Sequence, residues 1–240
     1  MLVAAAICPH PPLLVPGLAA GASEELDDLR VACDAAVALL LGSSPSLVVV
    51  VGGAESLGPA TGPVAIPGRS GRPTPSLALA LGQWLLDRAE GAVVAPVLLF
   101  GVPADTAPAR CAAIGEALAG RAARVALLVR GDGSARRSAK GPGGRSPEAA
   151  AYDDRLEAAL RAGDPVALTA LDADQGARVL AAGRAPVQVL AGAARGESWQ
   201  ADLTWSGAPY GVTYLVATWQ PSRMTTQTQP ATMTRSRPRP

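Results

Sequence analysis

Histidine is almost absent from this chain of 240 residues: His10 is the only one. Imidazole is the commonest metal ligand and the commonest general base near neutral pH. A single copy therefore excludes every mechanism that needs two or three. Aromatic side chains are also scarce, 3% of the chain with one Phe, so the core has to be packed from Ala, Val and Leu. The three cysteines, Cys8, Cys33 and Cys111, lie far apart. An odd number without metal-site spacing reads as free, buried thiols in a reducing compartment. No apolar run approaches the roughly 20 residues of a membrane span. Met1–Ile7 is apolar, but no basic region precedes it and Pro9, Pro11 and Pro12 follow at once. That argues against a signal peptide and for a cytoplasmic protein. Nor is there an excess of charge: a net +1 gives no field to draw the chain to nucleic acid or to anionic lipid.

What is present is apolar sequence broken by Gly and Pro. Leu2–Ile7, Leu47–Val51, Val93–Phe100, Arg124–Val129 and Val212–Trp219 read as strands of one shared sheet. The second is the clearest, five apolar residues of which four are β-branched, stopped by Gly52-Gly53. Such a run suits a parallel strand covered on both faces. Pro96 counts against a central place for the whole of the third strand. Helices are expected from Ser23 to Gly42, from Thr74-Pro75 to about Arg88, and from Asp105 or Thr106 to near Gly120. A fourth runs from Ser146-Pro147-Glu148 to Ala162, stopped by Gly163. Short helices are expected after Asp164-Pro165, from Asp172 to Gly183, and over Val187–Ala194. Leu13–Gly21 and Gly58–Pro75 read as irregular. Alternating strands and helices imply an α/β fold, a single domain over residues 1–219 with a mostly parallel or mixed central sheet flanked by helices. Residues 220–240 carry Arg223, Arg235, Arg237 and Arg239 without an acid, a composition expected of a disordered basic tail.

Chemistry-bearing residues are few. Cys8 and His10 are two apart, so an extended strand can place both on one side as a thiol–imidazole pair. Glu55 follows the second strand, at the end where open α/β sheets place their sites. It reads either as a substitute carboxylate or as a solvated loop acid. The loop Arg130–Arg145 holds Arg130, Arg136, Arg137, Lys140 and Arg145 against Asp132 alone. Glycine amides and forked guanidinium donors there suit a small anion, although the loop has no P-loop spacing. Ser134 and Ser206 are available nucleophiles, but no Gly-x-Ser-x-Gly elbow surrounds either. Trp199, Trp205, Tyr210, Tyr214 and Trp219 read as core plugs or interface residues.

Three segments, Ala4–Pro16 (AAAICPHPPLLVP), Arg130–Gly144 (RGDGSARRSAKGPGG) and Ala208–Val216 (APYGVTYLV), together resemble the LigB-like superfamily. That group contains the class III extradiol ring-cleavage dioxygenases and the related Memo proteins. The Ala-rich texture is similar to the actinobacterial branch of that superfamily. The resemblance implies a single α/β domain with its site at the strand ends. Two histidines and a glutamate hold Fe(II) there, and a further histidine serves as acid/base. Such a set leaves open positions for a catecholate and for O₂. Transferred position by position, His10 matches the first ligand. Gly52-Gly53-Ala54-Glu55 occupies the place of the second. Asp132-Gly133-Ser134-Ala135-Arg136 carries alanine where the acid/base histidine belongs. The last ligand falls near Ala181-Ala182-Gly183.

The resemblance and the missing imidazoles lead to three readings. One is a dioxygenase-like protein with a degenerate metal site, binding a small molecule or a protein partner without ring cleavage and with no cofactor. The second is an enzyme with an altered Fe(II) site at His10, Glu55 and Asp132. The third is a Memo-like interaction protein, and a homodimer stays open. The expected pocket joins His10, Gly52, Gly53, Glu55, Asp132, Ser134, Arg136 and Arg137, with Arg136 or Arg137 as donor to a small anion and no metal held.

Overall fold

The computed structural model describes residues 1–18, 24–60, 76–89 and 95–222. Its elements are β1 (Leu2–Cys8), α1 (Asp27–Gly42), β2 (Leu47–Gly53), β3 (Gly58–Pro59), α2 (Leu77–Asp87), β4 (Val97–Val102), α3 (Pro108–Ala119) and β5 (Val125–Arg130), then α4 (Glu148–Ala162), α5 (Pro165–Thr169), α6 (Ala173–Arg178), α7 (Arg184–Ala193), β6 (Trp199–Gly207) and β7 (Tyr214–Pro221). The seven strands form one mixed sheet in the order β3-β4-β2-β5-β1-β7-β6. β4, β2, β5 and β1 are mutually parallel, while β3, β7 and β6 join antiparallel. The fold is the expected α/β domain with a helix-flanked mixed sheet. No described helix is long and apolar enough to cross a membrane.

Strand alternation sorts the core into two layers. Val48, Val50, Ala126, Leu128, Ala6 and Cys8 face α1 and α2. Val49, Val51, Leu127, Val129 and Ile7 face α3, α4 and α7. Period-2 geometry makes this division inevitable once the strands are buried on both sides. After β1 the chain leaves to one face through α1, and after β5 it leads to α4 on the other. The boundary between β1 and β5 is therefore a topological switch point, where open α/β sheets form a crevice at the carboxyl ends of their strands.

Several expectations are corrected. β4 begins at Val97, after Pro96, because proline has no N–H for the ladder; residues 93 and 94 lie outside the described residues. β5 runs through Arg130, which the sequence pattern assigns to the loop. The edge strand β6 was not expected. Its buried Trp199 and Leu203 alternate with exposed neighbours, a half-buried pattern weaker than a fully apolar run. β7 extends to Pro221, two residues past the expected domain edge. Neither Asp105 nor Thr106 caps α3; its N-cap is Ala107, with Pro108 at the first helical position. α6 ends at Arg178 rather than at Gly183, and α7 starts at Arg184. The start expected at Thr74-Pro75, the cap at Ser23 and residues 223–240 of the tail lie outside the described residues. α2 is capped by Ser76, whose hydroxyl accepts from the Leu79 amide. Gly163 does end α4, in the left-handed conformation glycine favours. Trp199 and Trp219 are core plugs, their indole N–H groups donating to the carbonyls of Ala194 and Leu160.

Candidate functional site

The strand-end junction at the switch point is assembled from four chain segments. His10 follows β1. Its backbone N–H donates to Asp132 Oδ1 at 2.8 Å, and its Nδ1 lies 3.5 Å from the same oxygen. Asp132 follows β5, so this contact spans the boundary between the two strands. The Asp132 carbonyl accepts from the Gly183 amide at 2.8 Å, which brings in the junction before α7. A Cβ on Gly53, the last residue of β2, would stand 3.9 Å from the Ala182 carbonyl. The Ser76 hydroxyl donates to the Gly53 carbonyl, tying the start of α2 to the same strand end. Thus His10, Gly52-Gly53, Asp132 and Ala182-Gly183, widely separated in sequence, meet at the carboxyl ends of the central strands.

Other expected members face elsewhere. Glu55 is exposed and lines a groove of about 210 Å³ with Ser56, Leu57, Leu79 and Gly101. Ser134 is fully buried, with both its amide and its hydroxyl committed to Asp153, at 2.7 and 2.6 Å. Thr213 donates a third hydrogen bond to Asp153 at 2.6 Å. Arg137 approaches Asp153 at 3.5 Å, and Arg136 donates to the Arg178 carbonyl. Ser134 and Arg137 are thus pinned to α4, and Arg136 to the end of α6. None of these contacts involves His10. The expected donors to an anion are engaged with the scaffold instead, Arg136 through an exposed bond and Arg137 through a long, part-buried one. Asp153 escaped the sequence pattern because one acid among several in a polar helix, beside Asp154, carries no local mark of burial.

The thiol–imidazole pair is likewise replaced. Cys8 faces Cys33 on α1, and the two thiols share a hydrogen bond. That bond, with the charge and a hydrogen bond of Arg130, holds Cys8 below the usual thiol range against the opposing effect of burial. The same bond and burial push Cys33 up. All three cysteines are free and buried. Among the described residues no group of three or more His, Cys, Asp or Glu side chains is placed to hold a metal ion.

Arg130 belongs to the strand end rather than to the loop. It is in register with Cys8 on β1 and with Gly52 on β2, and it is fully buried. Counting in twos along β5 from Ala126 and Leu128 puts it on the α1/α2 face, which was the available signal.

Burial lowers the pKa of His10; the Asp132 carboxylate opposes this and Arg130 reinforces it. The imidazole is accordingly neutral at pH 7. A histidine depressed on folding binds fewer protons than its unfolded counterpart. It therefore contributes stability that is present above the ordinary value of about 6.5 and lost as pH falls below it. In NMR the single imidazole should titrate with a midpoint below 6.5, and His10→Gln should flatten the acid-side loss of stability. A midpoint at or above 6.5 would contradict this environment.

No protein-family model matches the chain, and no curated protein matches it. The fold is similar to that of an uncharacterized protein, JW3007, from Escherichia coli K12, with a TM-score of 0.53 at 16% sequence identity, covering 91% of this chain and 99% of the other. At that identity the likeness establishes the α/β architecture alone.

Proposed function

We propose that this chain is a small-molecule-binding protein on a dioxygenase-like scaffold, with a degenerate metal site and without ring-cleavage activity. The observation that carries this reading is the meeting of four segments at the switch point: His10, Gly52-Gly53, Asp132 and Ala182-Gly183. These are the segments at which the resemblance places its iron ligands and its acid/base. Three of them carry no imidazole, and Ala135 stands where the acid/base histidine belongs.

The residues present do not fit Fe(II). The facial set requires two imidazoles and one carboxylate, and the crevice offers one imidazole and Asp132. Glu55, the substitute carboxylate of the altered-site reading, is on an exposed stretch beside β3. Protein purified without added metal should contain no stoichiometric iron or zinc. After anaerobic loading with Fe(II) it should consume no O₂ with catechols. About one tightly held transition-metal ion per chain, released by His10→Ala, would overturn the reading, as would oxygen consumption that His10→Ala abolishes.

A further inference from the structure

Arg130 is 0% exposed. Among the described residues none of its three guanidinium nitrogens bonds to an oxygen acceptor and no carboxylate lies within ion-pair distance of it; its polar neighbour is the Cys8 thiol. An unpaired buried guanidinium is among the most costly groups a fold can hold. Native proteins satisfy such groups with a partner, a water or an ion, so an unsatisfied one calls for an explanation.

The surroundings of Arg130 are shaped to admit its side chain. Gly52 and Gly82 line the stem: a Cβ on Gly52 would sit 2.8 Å from the Ala78 Cβ and 3.4 Å from the Arg130 Cβ. A Cβ on Gly82 would collide with Val50 and stand 3.3 Å from the Arg130 Cγ. Beyond the stem, the guanidinium's charge acts on Cys8, Cys33 and His10. The donors thus lie on the α1/α2 face, at the carboxyl ends of β1, β2 and β5.

We propose that Arg130 anchors the carboxylate of a small, apolar monocarboxylic acid bound in the crevice between these strand ends and helices α1 and α2. The inference rests on the reading of this crevice as a ligand site. A guanidinium fork matches the two oxygens of a carboxylate, and beyond its contact with the Cys8 thiol no described oxygen accepts from it. One charge neutralises one charge. The Asp132 carboxylate at the same strand ends disfavours a dianion such as phosphate. The neighbouring Cys8, Cys33 and Leu79 belong to the apolar layer on this face, which suits a hydrocarbon body. With no exposed nitrogen, Arg130 meets the acid only when the crevice opens locally, so association is slower than a diffusional encounter.

The test is thermal unfolding of the full chain in about 10 mM benzoate, acetate, phosphate or chloride at matched ionic strength. For millimolar affinity, benzoate should raise Tm by about 4 °C relative to chloride, acetate by less and phosphate least. Arg130→Met should abolish the benzoate shift while melting no lower than wild type in chloride, since the unpaired charge is gone. Arg130→Lys, which keeps the charge without the fork, should retain only a small part of the shift. It decides the matter if the methionine variant fails to fold. Arg136→Met should retain the whole shift. Absence of any shift in wild type, or an equal shift in Arg130→Met, would overturn the proposal. So would a shift that appears only in Cys8→Ala, which would make a Cys8 thiolate the internal counter-ion. Loss of the shift in His10→Ala but not in Arg130→Met would keep the crevice as a ligand site and remove only this anchor. Iron-dependent oxygen consumption would overturn the earlier reading whatever Arg130 does.

Discussion

Val49→Asp is expected to leave the chain unfolded at 25 °C. Val49 is fully buried on β2, between Leu98 of β4 and Leu127 of β5, and faces the layer under α3, α4 and α7. The new carboxylate would be sealed among the aliphatic side chains of that layer. Burying it unpaired, charged or neutralised, costs several kcal/mol, against a total stability of ~5–15 kcal/mol. The matched comparison is Val31→Asp on α1, a residue 67% exposed, which should stay within about 0.5 kcal/mol of wild type. Circular dichroism and thermal melting read both. A cooperative melt of Val49→Asp near the wild-type temperature would show that β2 is not a core strand.

The second large effect comes from a single methyl group. Glycine to alanine inside a helix ordinarily stabilises by about 1 kcal/mol. At Gly115 of α3 the sign should reverse. A Cβ there would collide with the Val189 carbonyl oxygen and stand 2.6 Å from the Ala193 nitrogen, both on α7. The contact is reciprocal: a Cβ on Gly192 of α7 would run into the Ala112 carbonyl of α3. Backbone touches backbone here, so no rotamer change relieves the clash. α7 cannot retreat either, because all ten of its residues are buried. Gly115→Ala should therefore destabilise by about 3 kcal/mol and lower Tm by about 10 °C. Gly120→Ala, whose Cβ would make ordinary contacts at 3.6 Å, should be close to neutral. A stabilised Gly115→Ala would refute the close crossing of α3 and α7.

These two expectations draw on different kinds of information. The burial of Val49 was legible in the run Leu47–Val51, since five consecutive apolar residues have no water-facing arrangement in a sheet. The requirement for glycine at positions 115 and 192 was not. Nothing within either helix demands it, and the demand arises only where α3 and α7, distant in sequence, cross.

The candidate site divides in the same way. His10, Gly52-Gly53 and Asp132 were legible because each ends or follows an apolar strand, and parallel strands collect their carboxyl ends on one edge. Arg136 and Arg137 were attractive for their composition, yet bonds to Arg178 and Asp153 hold them elsewhere. Glu55 stands a few residues beyond β2 and is exposed. The pairing of Cys8 with Cys33 was invisible, since the two are far apart in sequence and only the packing of α1 on β1 joins them.

By itself, then, the sequence determined the α/β class, four of the five expected strands close to their limits, the glycine stop of α4, and the exclusion of any mechanism needing more than one imidazole. Hydrophobic periodicity and residue counts are local properties, and a single chain carries them in full. Tertiary structure alone decided strand order, the antiparallel edge formed by β6 and β7, the close crossing of α3 and α7, and the burial of Arg130 without a carboxylate partner among the described residues. Those depend on which distant segments share a face. Whether a charged residue at the end of a strand points to solvent or to the core is set by the helices that later cover it.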